Sequence, residues 1–402
     1  MKSPGEKRLV QQLLDFAGVR IDGQAPYDIQ VHNPDFYPRV IAGGSLALGE
    51  SYMDGWWDCQ ALDQFFDRIM AARLDKKVRK SKTLIWEAVK ARLTRMQGRA
   101  WVFEVGRRHY DIGNELFTVM LDKRMNYSCA YWQEAATLDE AQEAKLELTC
   151  RKLGLEPGMR VLDIGCGWGG FAIYAAEKYR VEVTGVTVSD EQVKLGQSCC
   201  ADLPVNFELK DYRDIAGTFD RIVSIGMFEH VGLANYRTYM QVVNRCLKDD
   251  GLFLLHTIGS NTSVRSVDPW LATYIFPNSM LPSARQITGA AEGIFILEDW
   301  HSFGPHYDPT LIAWHRNFID NWSCLQDAYD LRFQRMWTYY LLSCAGSFRA
   351  RRNQLWQIVF SKNGGSVNTC KDLNQISHSP RIRSAFEQPG TLGTAEQLSS
   401  GF

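Results

Sequence analysis

The chain contains 402 residues, which is enough for one large α/β domain and a smaller second one. Its formal net charge at pH 7 is −1, so it lacks the positive field that is typical of nucleic-acid-binding proteins, and no nucleic acid partner is expected. No apolar run approaches the roughly 18 residues of a membrane span, and the first residues lack the apolar stretch of a signal peptide.

The ten cysteines are scattered along the chain. No Cys–x–x–Cys pair occurs, and no spacing of Cys and His is typical of a zinc site, so no bound metal is expected. Cysteines of this kind are typical of reduced thiols, which predicts a cytoplasmic protein.

Residues 1–105 are predicted to form a smaller, mostly helical domain with a linker. Within it, residues 76–99 hold nine Lys or Arg residues and one acid, Glu87. Their apolar side chains recur at helical spacing, which predicts a basic amphipathic helix. Such a helix can lie in a membrane interface. It can also be a solvated surface helix that packs on the protein through its apolar stripe, and both interpretations remain open.

Alternating helices and strands are predicted from about residue 137. Thr137 and Glu140 form a capping box, and Gly154 ends that helix. Apolar runs then predict strands at 160–164, 181–187, 205–209, 219–225, 251–258, 294–300 and 355–361. This order is typical of an α/β fold with a doubly wound, mostly parallel sheet of seven strands. The polar tail, residues 363–402, is expected to be disordered.

A glycine-rich loop follows the first of these strands. Gly165, Gly167 and Gly170 satisfy the spacing GxGxxG, and glycines allow the backbone to turn sharply against a ligand. A nicotinamide-binding Rossmann fold is therefore one interpretation. The other is a Rossmann-like class I methyltransferase that binds S-adenosylmethionine, in which Gly169 belongs to the same loop.

Three features favour S-adenosylmethionine. The carboxylate of Asp163 lies two residues before the first glycine, where it suits a positively charged amine. The next strand ends at Thr187 without the acid that a nicotinamide cofactor's ribose requires, and Gln192 could bind the ribose hydroxyls. A whole domain also precedes the loop. After the third strand, Asp211 and Tyr212 are candidates to bind and stack on adenine.

Two further polar residues lie at or just after the ends of strands of the same predicted sheet. Glu229 comes just after the strand at 219–225, and His256 lies near the end of the strand at 251–258. Because ligands bind beyond the carboxyl ends of parallel strands, both side chains are expected to face the cofactor's methyl group.

Many motifs now resemble one family, the cyclopropane fatty acid synthases. The resemblance covers roughly residues 30–362 and is most similar to the bacterial enzymes that act on phospholipids, with mycolic acid cyclopropane synthases more distant. It is carried by HYDIGNELFTVMLDKRMNYSCAYW (109–132), VLDIGCGWGG, GVTVSDEQ, KDYRDI, DRIVSIGMFEHVG, LLHTIGS, DPWLATYIFPNSMLPS, HYDPTL and CAGSFRARRNQLWQIVFS.

The resemblance implies a catalytic domain over residues 106–362. It implies that a methylene group passes from S-adenosylmethionine to the cis double bond of a phospholipid acyl chain, through a carbocation and proton removal by bound bicarbonate. The implied bicarbonate cage is Cys129, Glu229, His256, Ile258 and Tyr307. The implied cofactor contacts are Tyr127, Ser128, Asp163, Gly165, Gly167, Gly169, Thr187, Gln192, Asp211 and Tyr212.

Cys344 is a further candidate catalytic residue by resemblance. It lies in a predicted amphipathic helix, and a thiolate does not help an alkene attack a sulfonium, so we expect it only to line the pocket.

The resemblance also implies a homodimer. The lipid substrate implies a cytoplasmic protein that associates peripherally with the inner face of the membrane.

Other functions remain open at this point. The product could be a methyl- or methylene-branched lipid, because the fate of a carbocation depends on geometry that the sequence does not show. The same scaffold could methylate a small amine or phenol. A non-catalytic lipid-binding protein is a third alternative.

Overall fold

The computed structural model describes residues 4–74, 113–200, 202–264 and 267–362. The N-terminal region is mainly helical, as predicted, with α1 (Pro4–Asp15), α2 (Phe36–Met53) and α3 (Leu62–Ala71). It also contains a short antiparallel pair, β1 (Ile29–Val31) and β2 (Trp57–Cys59), which was not predicted because strands of three residues leave little periodicity.

The remaining strands and helices make up the larger part of the fold. The strands are β3 (Arg160–Ile164), β4 (Glu182–Thr187), β5 (Val205–Leu209), β6 (Phe219–Ile225), β7 (Leu247–Ser260), β8 (Ile296–Ser302) and β9 (Asn353–Ser361). The helices are α4 (Asn114–Met120), α5 (Leu138–Leu153), α6 (Gly170–Tyr179), α7 (Asp190–Cys199), α8 (Tyr236–Cys246), α9 (Pro269–Tyr274), α10 (Ala284–Ala291), α11 (Tyr307–Asp320) and α12 (Leu331–Arg349).

Seven strands form a single sheet in the order β5-β4-β3-β6-β7-β9-β8. Strands β3 to β7 pair in parallel, whereas β9 runs antiparallel between β7 and β8. The central strands are apolar because helices cover both faces of the sheet. This is the class I methyltransferase architecture, and the seven predicted strands are confirmed.

The predicted capping box of α5 is confirmed. The Thr137 hydroxyl accepts a hydrogen bond from the Glu140 backbone amide, and the Glu140 carboxylate accepts one from the Thr137 amide. Gly154 ends the helix in the left-handed conformation, φ 56°, which a residue without Cβ adopts at no steric cost.

Helices α2 and α3 pack directly on α12, and their aromatic side chains share one core with it. A Cβ atom at Gly346 would lie 2.6 Å from the Asp63 carbonyl oxygen, so the helix backbones touch at this point. The Arg349 guanidinium bonds to the carboxylates of Asp63, at 2.7 Å, and Asp308, at 2.8 Å. These contacts join the N-terminal region to the helices beside the sheet.

The predicted basic helix at 76–99, the boundary near residue 105 and the tail at 363–402 lie outside the described residues. Within the described part of the chain, no helix is both long and apolar enough to cross a bilayer.

Candidate active site

A cavity of about 740 Å³ opens at the carboxyl ends of β3, β4 and β6, where ligands bind in open α/β sheets. Its walls include most of the predicted cofactor contacts, namely Tyr127, Ser128, Asp163, Gly165, Gly167, Thr187, Gln192 and Tyr212. Two predicted contacts, Gly169 and Asp211, do not line it.

The glycine loop shapes one wall. Gly165 has φ 82°, and a Cβ atom there would lie 2.7 Å from the Cβ of Met227, so the loop closes tightly on the turn after β6. Gly169 has φ 90° and lies against the Phe207 ring, with which any side chain would clash. Gly169 thus allows the loop to pack on β5 rather than to contact the cavity.

Asp163 is the buried acid of this cavity. Its side chain lies at the end of β3, 1% exposed, and its Oδ2 atom has no hydrogen-bond partner in the described structure. Burial raises the pKa of this carboxyl to about 7, while the nearby Lys145 ammonium opposes the increase. A buried carboxylate with a free oxygen suits a cationic group, such as the amine or sulfonium of S-adenosylmethionine.

Thr187 and Gln192 form the edge of the cavity beside β4. The Thr187 hydroxyl donates to the Gln192 Oε1 atom at 2.6 Å, which orients the amide. The Ser189 hydroxyl caps α7 by accepting from the Gln192 backbone amide.

The carboxylate of Asp211 forms a salt bridge with Arg213, two residues further along the chain. The Arg213 side chain donates to both carboxylate oxygens, at 2.8 and 2.7 Å, and this pairing lowers the pKa of Asp211 to about 2. The residues on either side of Asp211, Lys210 and Tyr212, do line the cavity.

Glu229 lies in the short 3₁₀ turn that follows β6. Its Oε1 atom accepts a hydrogen bond from the Ile258 backbone amide at 2.7 Å. Its Oε2 atom is buried and is unpaired among the described residues. Burial raises the pKa of this carboxyl to about 7. Below that pH the carboxyl is mostly protonated and can donate a hydrogen bond.

His256 lies two residues before Ile258 on β7 and is 1% exposed. Its Nδ1 atom is 3.3 Å from the amide nitrogen of Gln357, and its Nε2 atom has no partner within the described part of the chain. Burial lowers the pKa of the imidazole far below its ordinary value, and the Lys145 and Lys152 ammonium groups lower it further. The ring is therefore neutral.

Tyr307 is the first residue of α11, and several of the predicted site residues lie near it. Its phenol lies within electrostatic range of Cys129, Glu229, Tyr127 and Cys344, in addition to the burial that raises its pKa. Its ring stacks on Phe348 with centroids 4.4 Å apart. Cys129, Glu229 and Tyr307 are thus neighbours in space, and the Ile258 amide joins them through its hydrogen bond to Glu229.

Aromatic rings surround this region. The hydroxyls of Tyr127 and Tyr340 are 2.7 Å apart, the Tyr127 ring lies 5.2 Å from Trp314, and the Phe276 ring lies 5.6 Å from Tyr340. Such a wall is apolar and presents π faces that attract positive charge.

Cys129 and Cys344 are neutral thiols. Burial raises the pKa of both, that of Cys344 to about 12. Cys344 is partly buried among the tyrosines of α12, close to Tyr127 and Tyr307. Its thiol is an uncharged group there.

The sequence interpretation missed a buried polar stripe on α5. Four side chains, each at most 1% exposed, recur at intervals of three and four residues, namely Gln142, Lys145, Thr149 and Lys152. The Lys145 ammonium donates to Asn126 Oδ1 at 3.0 Å and to the Ser128 hydroxyl at 3.1 Å. The Gln142 amide donates to the Ser128 carbonyl at 2.9 Å.

This stripe fixes the segment that carries Tyr127, Ser128 and Cys129. Burial lowers the pKa of Lys145 to about 8, and nearby Asp122 opposes the decrease. The signal in the sequence was the helical spacing of polar residues, but it resembles that of an exposed helix face and is misread without the packing.

Comparisons with known proteins identify the family of the chain. The family model described as "Mycolic acid cyclopropane synthetase" matches residues 98–358. The chain is 55% identical, over 88% of its length and 93% of the relative's, to the cyclopropane-fatty-acyl-phospholipid synthase of Escherichia coli (strain K12).

Two kinds of solved structure are similar. Mycolic acid cyclopropane synthase CmaA1, complexed with SAH and CTAB, is 34% identical with a TM-score of 0.59, covering 65% of this chain and 98% of that one. Coclaurine N-methyltransferase is 23% identical with a TM-score of 0.62, covering 78% and 98%, and it shares the fold. The family match spans more than half of the chain, and the chain therefore belongs to the mycolic acid cyclopropane synthetase family.

Proposed function

We propose that this protein is a cyclopropane fatty acid synthase that transfers a methylene group from S-adenosylmethionine to the cis double bond of unsaturated phospholipid acyl chains. The observation that carries the proposal is that a cavity with a buried acid lies next to an apolar region with unpaired polar atoms. An unpaired buried carboxylate, Asp163, faces a cavity at the cofactor end of the sheet. An apolar, tyrosine-lined region with unpaired polar atoms on Glu229 and His256 lies beside it.

The proposed cofactor site uses the side chains that line the cavity. S-adenosylmethionine supplies an electrophilic methyl group when it is bound. Asp163 would pair with its amine, and Lys145 would keep the Ser128 hydroxyl in place. Gln192, oriented by Thr187, would bind the ribose hydroxyls, and Tyr212 would stack on the adenine. CmaA1, solved with SAH, supports a cofactor of this kind.

The proposed reaction site has two tasks. Its rings exclude water and stabilise developing positive charge on the acyl chain, for which Tyr127, Tyr307 and Tyr340 are the candidates. Its polar atoms hold the base that takes the final proton. Bicarbonate is our proposed base, because a small anion with a hydroxyl would bond to both Glu229 Oε2 and His256 Nε2, which are buried and unpaired in the described structure.

The Ile258 amide would act indirectly in this cage. It already donates to Glu229, so its effect is to hold that carboxyl and leave the other oxygen free. Cys129 would contribute its place in the buried segment fixed by α5 rather than thiolate chemistry, because burial keeps its thiol protonated.

Access to the substrate is a further part of the proposal. The N-terminal region, with the basic segment at 76–99, would dock the enzyme on the inner face of an anionic membrane, where the enzyme associates peripherally from the cytoplasm.

Residues 106–362 would form the catalytic domain, and the active form would be a homodimer. Sedimentation of the purified chain tests the dimer, and a monomer at active concentrations would contradict it.

Identification of the product tests the function. Purified protein is incubated with vesicles of monounsaturated phospholipid and S-adenosylmethionine, and the lipids are analysed by mass spectrometry and proton NMR. We expect acyl chains heavier by one CH₂, with cyclopropane protons and no alkene. An added CH₂ with the alkene retained would indicate a branched product instead. Transfer only to small amines or phenols would contradict a lipid substrate.

A further inference from the structure

A chain of buried hydrogen bonds leads from α5 to the imidazole of His256. Its first member is the backbone carbonyl of Lys145, which can only accept. The Thr149 hydroxyl lies 2.8 Å from that oxygen and donates to it. A hydroxyl has a single proton, so Thr149 can only accept from any further partner.

That further partner is the side-chain amide of Gln357 on β9. Its Nε2 atom lies 3.1 Å from the Thr149 hydroxyl. Because Thr149 has already given its proton to Lys145, the amide must present its nitrogen, not its oxygen, at this contact. The orientation of the Gln357 amide is therefore determined by the helix carbonyl two steps away.

The same nitrogen carries a second proton, which points to His256. The Nδ1 atom of the imidazole lies 3.3 Å from Gln357 Nε2. A primary amide nitrogen only donates, so Nδ1 must be the unprotonated, accepting nitrogen of the neutral ring. The proton of the imidazole then resides on Nε2, the atom that has no partner in the described residues.

We propose that Gln357 and Thr149 are positioning residues that fix His256 in the Nε2–H tautomer, so that this imidazole presents a hydrogen-bond donor to the anionic base of the reaction. This inference rests on the proposed function for the identity of the base. The opposite tautomer would present a lone pair to an anion and repel it. His256, Gln357 and Thr149 are all at most 1% exposed, so water does not compete for these contacts.

The Gln357 amide is held in this orientation only by the hydrogen bonds that its nitrogen donates. Gln357 Oε1 is itself unpaired among the described side chains, which shows that the amide is held by its nitrogen alone. In metal sites, a residue that orients a histidine through a hydrogen bond typically contributes about 10–100-fold to function, and we expect an effect of this size here. Gln357 does not line the cofactor cavity, so its replacement should leave cofactor binding unchanged.

The test combines NMR with kinetics. Histidine labelled with ¹⁵N reports the tautomer of His256 in the full-length protein, with His256→Gln used to assign the signal. In the wild type we expect a protonated Nε2 and an unprotonated Nδ1. In Gln357→Glu, the new carboxylate would lie against His256, whose imidazole feels the Lys145 and Lys152 ammonium groups, and it would accept from the ring. The proton should then move to Nδ1.

The kinetic arm separates positioning from simple loss of folding. Gln357→Glu should lower kcat about 10–100-fold with an unchanged KM for S-adenosylmethionine. Thr149→Val, which removes the acceptor that orients the amide, should lower kcat less and leave the KM unchanged. Gln241→Glu, an exposed glutamine on α8, is the matched control and should behave as the wild type.

Two results would overturn the inference. One is an Nδ1–H tautomer in the wild type. The other is a Gln357→Glu variant in which both the tautomer and kcat are unchanged. The NMR result needs no turnover, so a failure to label lipid would count against the proposed function while the tautomer of His256 could still be read.

Discussion

The Oε1 atom of Glu229 accepts a hydrogen bond from the Ile258 backbone amide at 2.7 Å, which ties the turn after β6 to strand β7. One carboxyl oxygen is thus used to fix the side chain, while Oε2 remains buried and unpaired in the described structure. An unpaired buried oxygen costs free energy, and a ligand that bonds to it recovers that cost. The arrangement therefore predicts that Glu229 is important for turnover rather than for the cofactor's affinity.

Glu229→Ala should reduce kcat by about 10²–10⁴-fold, the contribution that is typical of general base catalysis, because the proposed base would lose a group that holds it. The dissociation constant of S-adenosylmethionine, measured by calorimetry, should stay within about threefold of the wild-type value, because Glu229 does not line the cofactor cavity. Glu182→Ala, at the opposite end of the sheet, is the matched control. An active Glu229→Ala enzyme would exclude this role.

Cofactor binding should depend on pH through Asp163. Burial raises its pKa to about 7 in the free protein, so the carboxyl is protonated below that pH. A bound cation favours the carboxylate, and binding must then release a proton. The affinity for S-adenosylmethionine should fall by up to about tenfold for each pH unit below 7.

Calorimetry at pH 6 in buffers with different ionisation enthalpies measures this proton release directly. Asp163→Asn should bind more weakly and without the pH dependence. Asp202→Asn, an exposed aspartate on the surface, serves as the control. A wild-type affinity that does not change between pH 5.5 and 7.5 (a range of about two units around the raised pKa) would refute the pairing of Asp163 with the cofactor.

Cys344→Ser should retain substantial activity, within about tenfold of the wild type. The thiol is protonated at neutral pH because burial raises its pKa to about 12, so it is no nucleophile. Initial rates with vesicle substrate and a binding measurement for both substrates check this. A folded variant that binds cofactor and lipid but shows no turnover would require a chemical role for Cys344.

The contact between α3 and α12 predicts a stability effect that is separate from catalysis. At Gly346, a methyl group would lie 2.6 Å from the Asp63 carbonyl oxygen and 2.7 Å from the Asp67 amide nitrogen. Gly346→Ala should therefore destabilise the fold by about 1–3 kcal/mol in denaturant unfolding. Gly289→Ala, in α10, meets nothing within 4 Å and should stabilise it by about 0.5–1 kcal/mol. Equal effects from both would contradict the close helix contact.

Membrane docking through residues 76–99 should be sensitive to salt. Opposite charges attract less strongly as the Debye length shortens, so co-sedimentation with anionic vesicles should weaken at about 0.5 M salt. Charge reversal of Lys76, Lys77, Arg79 and Lys80 should have the same effect. Binding that survives both changes would indicate another docking surface.

The sequence was informative about the sheet for a physical reason. Strands such as β3 and β6 are covered by helices on both faces, so each has a short apolar stretch, Val161–Leu162 and Ile222–Val223, that is fully buried. The Thr137 cap and the glycine loop could also be predicted, because each depends on residues that are close together in the sequence. The pair β1 and β2 was missed, since three residues carry too little pattern.

The site was harder to predict, because its polar contacts cross the fold. Gln357 follows Thr149 by 208 positions, and their hydrogen bond leaves no trace in local spacing. Lys145 has the composition of an exposed helix residue and is buried only because α5 packs beside the cavity. Asp211 was expected to face adenine, yet its carboxylate pairs with Arg213, a contact that is common between neighbouring residues and easily overlooked.

The most direct measurement follows methyl-labelled S-adenosylmethionine into the phospholipids of monounsaturated vesicles, with wild-type enzyme and Glu229→Ala, in buffer with and without bicarbonate. We expect label in the cyclopropane carbon, a higher rate with bicarbonate, and a loss of label with the variant. No label in lipid from a wild-type enzyme that demonstrably binds the cofactor would contradict this expectation.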